Sequence, residues 1–181
     1  GNEWRSMVEL QDLAGRYPGL WSLAWIPRVE RKNLAAFESS ARAQGPVSFR
    51  IWDLEKGPSG PLPSREEYHP IAFIEPSQPA ALGLDTASRP RYFQEVILPA
   101  RNRAEVVLSH RFQPVEDRKN ISFGMVAPVY RNGSRPASVE DRREAYLGQV
   151  SALISAGRFF NGLDFESLLR LAAYDDSEGG T

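Results

Sequence analysis

Residues 65–85, REEYHPIAFIEPSQPAALGLD, constrain the fold of this chain more than any other stretch. The apolar residues Ile71, Ala72, Phe73 and Ile74 stand between a Tyr-x-Pro step and a Glu-Pro turn. A short apolar run bounded by turn formers on both sides reads as a buried strand. Further on, Gly83 permits backbone angles that other residues avoid, and so aims Asp85 in a particular direction. Asp85 follows an apolar Ala-Leu-Gly-Leu run and is expected to be partly buried, and a buried carboxylate needs hydrogen-bond donors. Either backbone amides supply them, in a turn or helix cap, or a ligand does.

Composition narrows the function. At 181 residues the chain suits one large domain or two small fused lobes. A net charge of −1 supplies no global field for nucleic acid or an anionic membrane, so no nucleic-acid partner is expected. The absence of cysteine excludes thiol chemistry, and two histidines without ligand spacing argue against a zinc site. The sequence holds no nucleophile elbow, dinucleotide fingerprint, phosphate loop or His-Glu-x-x-His pair. His69 and His110 read as surface or hydrogen-bonded histidines, and the adjacent Glu66 and Glu67 as solvated charge. No catalytic residue, metal or cofactor is expected.

The chain alternates elements in a consistent way. Residues 3–16 place Trp4, Met7, Leu10 and Leu13 on one stripe of a helix, which either packs on its own core or pairs with a second copy. A strand over 20–26 sets Trp21, Leu23 and Trp25 on one face, with Ser22 and Ala24 between them. The tryptophans Trp21, Trp25 and Trp52 read as core. A helix over 30–43 stops at Gly45, and a strand is expected over 47–54. After the loop 57–64 and the 71–74 strand, a helix begins near Ser88-Arg89-Pro90, with a kink expected at Pro99. Strands follow over 106–109, 121–129 and 147–155, with a short helix started by Ser138 and Asp141, and a last helix over 156–174.

Four motifs occur in a telling order: LWSLAWIPRV at 20–29, Gly83-Leu84-Asp85, Ala100-Arg101 and Pro128-Val129-Tyr130. Together they resemble the CHASE family, the sensory extracellular domains associated with cyclases and histidine kinases. The resemblance covers about residues 17–160. It implies an α/β (α+β) fold: a stalk helix at 1–16, a PAS-like antiparallel-sheet sensor lobe at 17–160, and a C-terminal helix and tail at 161–181. A second, membrane-proximal lobe is expected to be partial or absent. The domain is then the periplasmic or extracellular part of a membrane-anchored receptor, a histidine kinase or diguanylate cyclase, dimerising through the N-terminal helix.

The resemblance also implies a small-molecule ligand. In cytokinin-binding members an aspartate at the Asp85 position bonds the adenine ring, and a leucine on the following strand, here Leu108, offers a backbone group. Phe73, Phe123 and Met125 are candidates for the apolar walls, and equally for simple core. The competing reading is a dimerisation or protein-interaction module with no small-molecule ligand, its pocket filled by side chains.

Overall fold

A computed structural model describes residues 2–161 apart from 18, 77 and 116. The expected N-terminal helix is two pieces, α1 (Asn2–Leu10) and α2 (Leu13–Arg16). They are separated where Asp12 takes a φ of 43°, in the left-handed region that aspartate tolerates better than most residues. Strand β1 (Leu20–Pro27) runs into the short β2 (Val29–Glu30), a helical turn, and α3 (Leu34–Gln44). Next come β3 (Glu67–Tyr68) and β4 (Phe73–Glu75), whose following Glu75–Pro76 peptide bond is cis.

The helix after Asp85 opens with a 3-10 turn (Thr86–Ser88) and α4 (Pro90–Tyr92), widens into a π turn (Phe93–Ile97), and continues as α5 (Leu98–Arg103). The expected kink at Pro99 takes this form because proline has no N–H to give to the preceding turn. The remaining elements are β5 (Val107–Leu108), β6 (Ser122–Tyr130), α6 (Val139–Ala145), β7 (Tyr146–Ser155) and α7 (Ala156–Asn161). Ser138 and Asp141 form the capping box that starts α6. The part of the last expected helix beyond residue 161 lies outside the described residues.

Five strands form one antiparallel sheet in the order β4-β1-β7-β6-β5, while β2 and β3 pair separately. The fold is α+β, as expected. Its two faces are the reverse of what the large residues suggest. Ser22, Ala24 and Ile26 form the buried face of β1, and Trp21, Leu23 and Trp25 are only half-buried on the other. Registers extend this pattern. Ala24 sits opposite Ser151 of β7, which sits opposite Val126 of β6, so the inner face is built largely from small residues. Only Trp52, of the three tryptophans read as core, is fully in it.

Residues 47–54 are not a strand. Val47 is 85% exposed, and the segment contributes only isolated bridges at Trp52 and Asp53. Its backbone is satisfied by other partners: the Ile51 N–H donates to Glu38 Oε1 at 2.7 Å, and the Trp52 N–H to the Gly83 carbonyl at 2.9 Å. Phe49 and Ile51 instead join Val29 and Tyr68 in a core cluster beneath α3, with Phe37 packed edge-on to Phe49. Gly83 has the special geometry expected of it, with φ at +79°. An added Cβ would stand 2.0 Å from the Arg50 carbonyl oxygen. Gly83→Ala is therefore expected to cost at least about 1–3 kcal/mol in urea denaturation, and an unchanged midpoint would remove the close approach as a constraint.

Candidate functional site

The small side chains of the inner face leave room. A cavity of about 90 Å³ lies between the sheet and the chain that crosses it. Ser22, Ala24 and Ile26 of β1 form its floor with Ser151 and Leu153 of β7. Ile71, Ile74, Ala81 and Leu84 make one apolar wall. Phe112, Pro114 and Val115, from the connection between β5 and β6, make another. The polar groups come from Gln78, from Thr86, and from Arg89 and Tyr92 at the start of the helix.

Those polar groups differ in how far they are already satisfied. Thr86 Oγ1 donates to the His69 carbonyl at 2.9 Å. The Tyr92 hydroxyl is bonded to Ser151, and burial pushes it up to about 12, so it stays a neutral phenol at any physiological pH. Ser22 Oγ and Gln78 Nε2 are buried with no hydrogen-bond partner among the described residues. Arg89 has its guanidinium over the Phe112 ring, 5.2 Å from the centroid. Burial pulls that guanidinium below its ordinary value, with Tyr92 acting the other way.

Asp85 is fully buried but does not line this cavity. Its Oδ1 accepts from the N–H of His69 at 2.8 Å and of Ala87 at 3.1 Å, capping the turn that carries Thr86. Its Oδ2 accepts from Arg65 Nη1 at 3.0 Å. Arg65 Nη2 reaches Asp53 Oδ2 at 2.7 Å, so one guanidinium serves two buried carboxylates. Burial pushes the Asp85 carboxyl above the usual carboxylate range, against the pull of the His69 N–H and of Arg65. Burial acts the same way on Asp53, but the Arg65 hydrogen bond and the amides of Lys56 and Glu55 hold it below that range.

The other residues singled out in the sequence share one location. Phe73 pairs with Trp25 across β4 and β1, and Leu108 pairs with Met125 across β5 and β6. Phe123 lies two residues from Met125, hence on the same face. That is the outer face, where Leu108 is 59% and Met125 42% exposed, and none of the four lines the cavity. Phe73 borders a groove with Trp25, Phe37 and Phe49 beneath α3. Strand alternation thus carries all four away from the site. The residues that do line it gave one readable signal, the small Ser22 and Ala24 at alternate positions of an otherwise bulky strand.

Glu67 corrects a further expectation, because it is not solvated. Its carboxylate accepts from Arg28 Nε at 2.6 Å and Arg101 Nη1 at 3.1 Å, and lies 3.4 Å from Nε2 of the fully buried His69. Burial alone would raise it, but His69 and Arg28 outweigh that and hold it at about 2. His110 pairs with Glu95. Among the described residues no cluster of metal-ligating side chains occurs, and no helix is long and apolar enough to cross a membrane.

A five-stranded antiparallel sheet with helices and a cavity against its inner face is consistent with a PAS-like sensor lobe. The chain belongs to the CHASE domain family, whose model matches residues 1–181, its whole length. CHASE domains are extracellular sensor domains of signalling receptors, and the domain is sensory, not catalytic. No curated protein matches the sequence.

Asp85→Ala is expected to destabilise the fold by about 3–5 kcal/mol, because it strands two backbone N–H groups and half of the Arg65 contacts. Asp85→Asn keeps an acceptor for the amides and should lose less. Chemical denaturation of both variants is the measurement, and an alanine variant as stable as the parent would rule out the linking role.

Proposed function

We propose that this domain senses a small molecule bound in the cavity between β1, β7 and the 78–92 segment, on the extracellular or periplasmic side of a receptor with a kinase or cyclase output. The observation that carries the reading is the pair of buried, unpartnered polar atoms, Ser22 Oγ and Gln78 Nε2, on residues that line a largely apolar cavity. Buried polar groups are normally hydrogen-bonded, and those that are not mark where a ligand or water completes the pattern. Asp85 serves the site from behind, by holding the turn that presents Thr86 and leads to Arg89. An adenine-type cytokinin belongs in the ligand screen on grounds of family. The cavity argues for something smaller, since an engineered apolar cavity that takes up benzene measures ~150 Å³.

A thermal-unfolding screen of metabolites tests this. A ligand at 100 times its dissociation constant adds about 2.7 kcal/mol, a rise of roughly 5–10 °C for a domain of this size. Ala24→Leu fills the floor of the cavity and is expected to abolish the rise. A shift that survives Ala24→Leu places binding elsewhere and ends the cavity reading.

One observation favours a second reading, a homodimer through the N-terminal helix. Val8 is buried, and Arg5 bonds Glu75 of β4 at 3.0 Å, so α1 rests on its own lobe. Met7 and Leu10, however, are 46% and 84% exposed on the same short helix. The Leu13 side chain lies outside the described residues. If a second copy covers that face, sedimentation equilibrium detects a dimer that Leu10→Glu dissociates. A monomer at high concentration in the parent protein removes this reading.

A further inference from the structure

We infer that the cavity takes a small monocarboxylate, with the Arg89 guanidinium as its counter-charge and Ser22 Oγ and Gln78 Nε2 as its neutral donors. This rests on the ligand-sensing reading above and gives it a chemical class.

The charge balance of the cavity is the first argument. Among the described residues Arg89 is the one charged residue that lines it, and no carboxylate does. Among the described residues Arg89 has no salt-bridge partner, whereas Arg28, Arg65 and Arg101 each meet a carboxylate within 3.1 Å and the half-buried Arg142 donates to two backbone carbonyls instead. Its one contact of note is the face of Phe112, which offsets part of the cost of burial without neutralising the charge. Burial also draws the guanidinium below its ordinary value, the response of a cation removed from water without an anion beside it. Arginine stays protonated regardless, so the site presents a permanent positive charge.

The second argument is the donor pattern. Ser22 is 2% and Gln78 7% exposed, both residues line the cavity, and each carries a buried polar atom with no partner among the described residues. An amide nitrogen and a guanidinium can only donate, and a hydroxyl can donate as well, so a group that meets all three must accept. A carboxylate is acceptor-only and planar, with two oxygens to share among three donors. A phosphate dianion would need more positive charge than a single arginine supplies. The remaining wall, Ile26, Ile74 and Leu84, suits a short alkyl remainder, and about 90 Å³ limits it to a few carbon atoms.

The experiment compares sodium propionate with propionamide, its neutral counterpart of nearly the same shape, by calorimetric titration and thermal unfolding of the full chain. Formate, acetate, butyrate, lactate and pyruvate extend the series, and adenine serves as a nitrogenous control. The expected result is that at least one carboxylate binds and its amide binds at least tenfold more weakly. Arg89→Gln should lower carboxylate affinity tenfold to a hundredfold while leaving the amide unaffected, and Arg89→Lys should recover part of the loss. If Arg89→Gln does not fold, the acid-against-amide comparison on the parent protein decides the matter alone. Equal affinity for acid and amide, or an unaffected Arg89→Gln, overturns the proposal. So does a screen in which no carboxylate binds. In each of those cases a neutral ligand whose binding Ala24→Leu abolishes leaves the sensor reading standing, and the two failures are told apart.

Discussion

The Asp85 carboxylate joins three stretches of chain that share no strand of the main sheet: the 53–65 loop through Arg65, the approach to β4 through the His69 N–H, and its own helical turn through Ala87. Backbone bonds run beside it. The Asp85 N–H donates to the Trp52 carbonyl at 2.9 Å, Ile71 N–H to Leu84, and Thr86 N–H to His69. Residues 83–86 are therefore threaded between two other segments, and a burial this complete is tolerable for an anion only because each oxygen has a donor. Everything at the mouth of the cavity follows from that threading. Leu84 and Thr86 face the cavity because Asp85 faces away from it, and the helix that starts after the capped turn brings Arg89 and Tyr92 to the same space. Gly83 is the geometric condition for it, since no other residue fits against the Arg50 carbonyl there.

Much of the sheet was legible in the sequence, because strands β1, β6 and β7 carry long runs bounded by turn formers and the capping box at Ser138 is a local signal. The sides of the sheet were not. Tryptophan and phenylalanine announce a buried face, and Trp21, Trp25, Phe73, Phe123 and Met125 all lie on the face that is only partly covered. The face against the cavity is marked instead by what is missing, in the serines, glycine and alanine at Ser22, Ala24, Gly124 and Ser151, a weaker signal than bulk. Residues 47–54 alternate like a strand, yet their hydrogen bonds go to Glu38 and Gly83, partners that no local pattern announces. Arg65 shows the same limit. Its two carboxylates lie 12 and 20 residues away in sequence, in positions that only the threading of 83–86 brings together.

The family resemblance singled out Asp85 and left its role open between cap and ligand anchor. The geometry gives its oxygens to the protein. The charged residue that lines the cavity is Arg89, four residues on and of opposite sign, at the other end of the capped turn. An aspartate in the cavity would select donors and cations, whereas an arginine selects acceptors and anions. The two arrangements use one scaffold and differ in which end of the Asp85–Arg89 segment meets the ligand.

Signal output requires that the occupied and empty domain differ in free energy between two arrangements of the chain outside the cavity. The nearest route is short. Ile74 lines the cavity, the adjacent Glu75 bonds Arg5, and α1, with its Val8 buried, lies against β4. The Arg5–Glu75 pair is exposed on the arginine side and contributes little in salt, so it can register α1 on β4 without holding it there. A hundredfold shift in the position of α1 corresponds to about 2.7 kcal/mol. Full burial of a valine is worth on the order of 1.5–3 kcal/mol, a comparable sum. The seat of Val8 is therefore the element on this route with enough free energy to be switched. A ligand that displaces Ile74 acts on it through three residues of β4, a strand held to the sheet along one edge only.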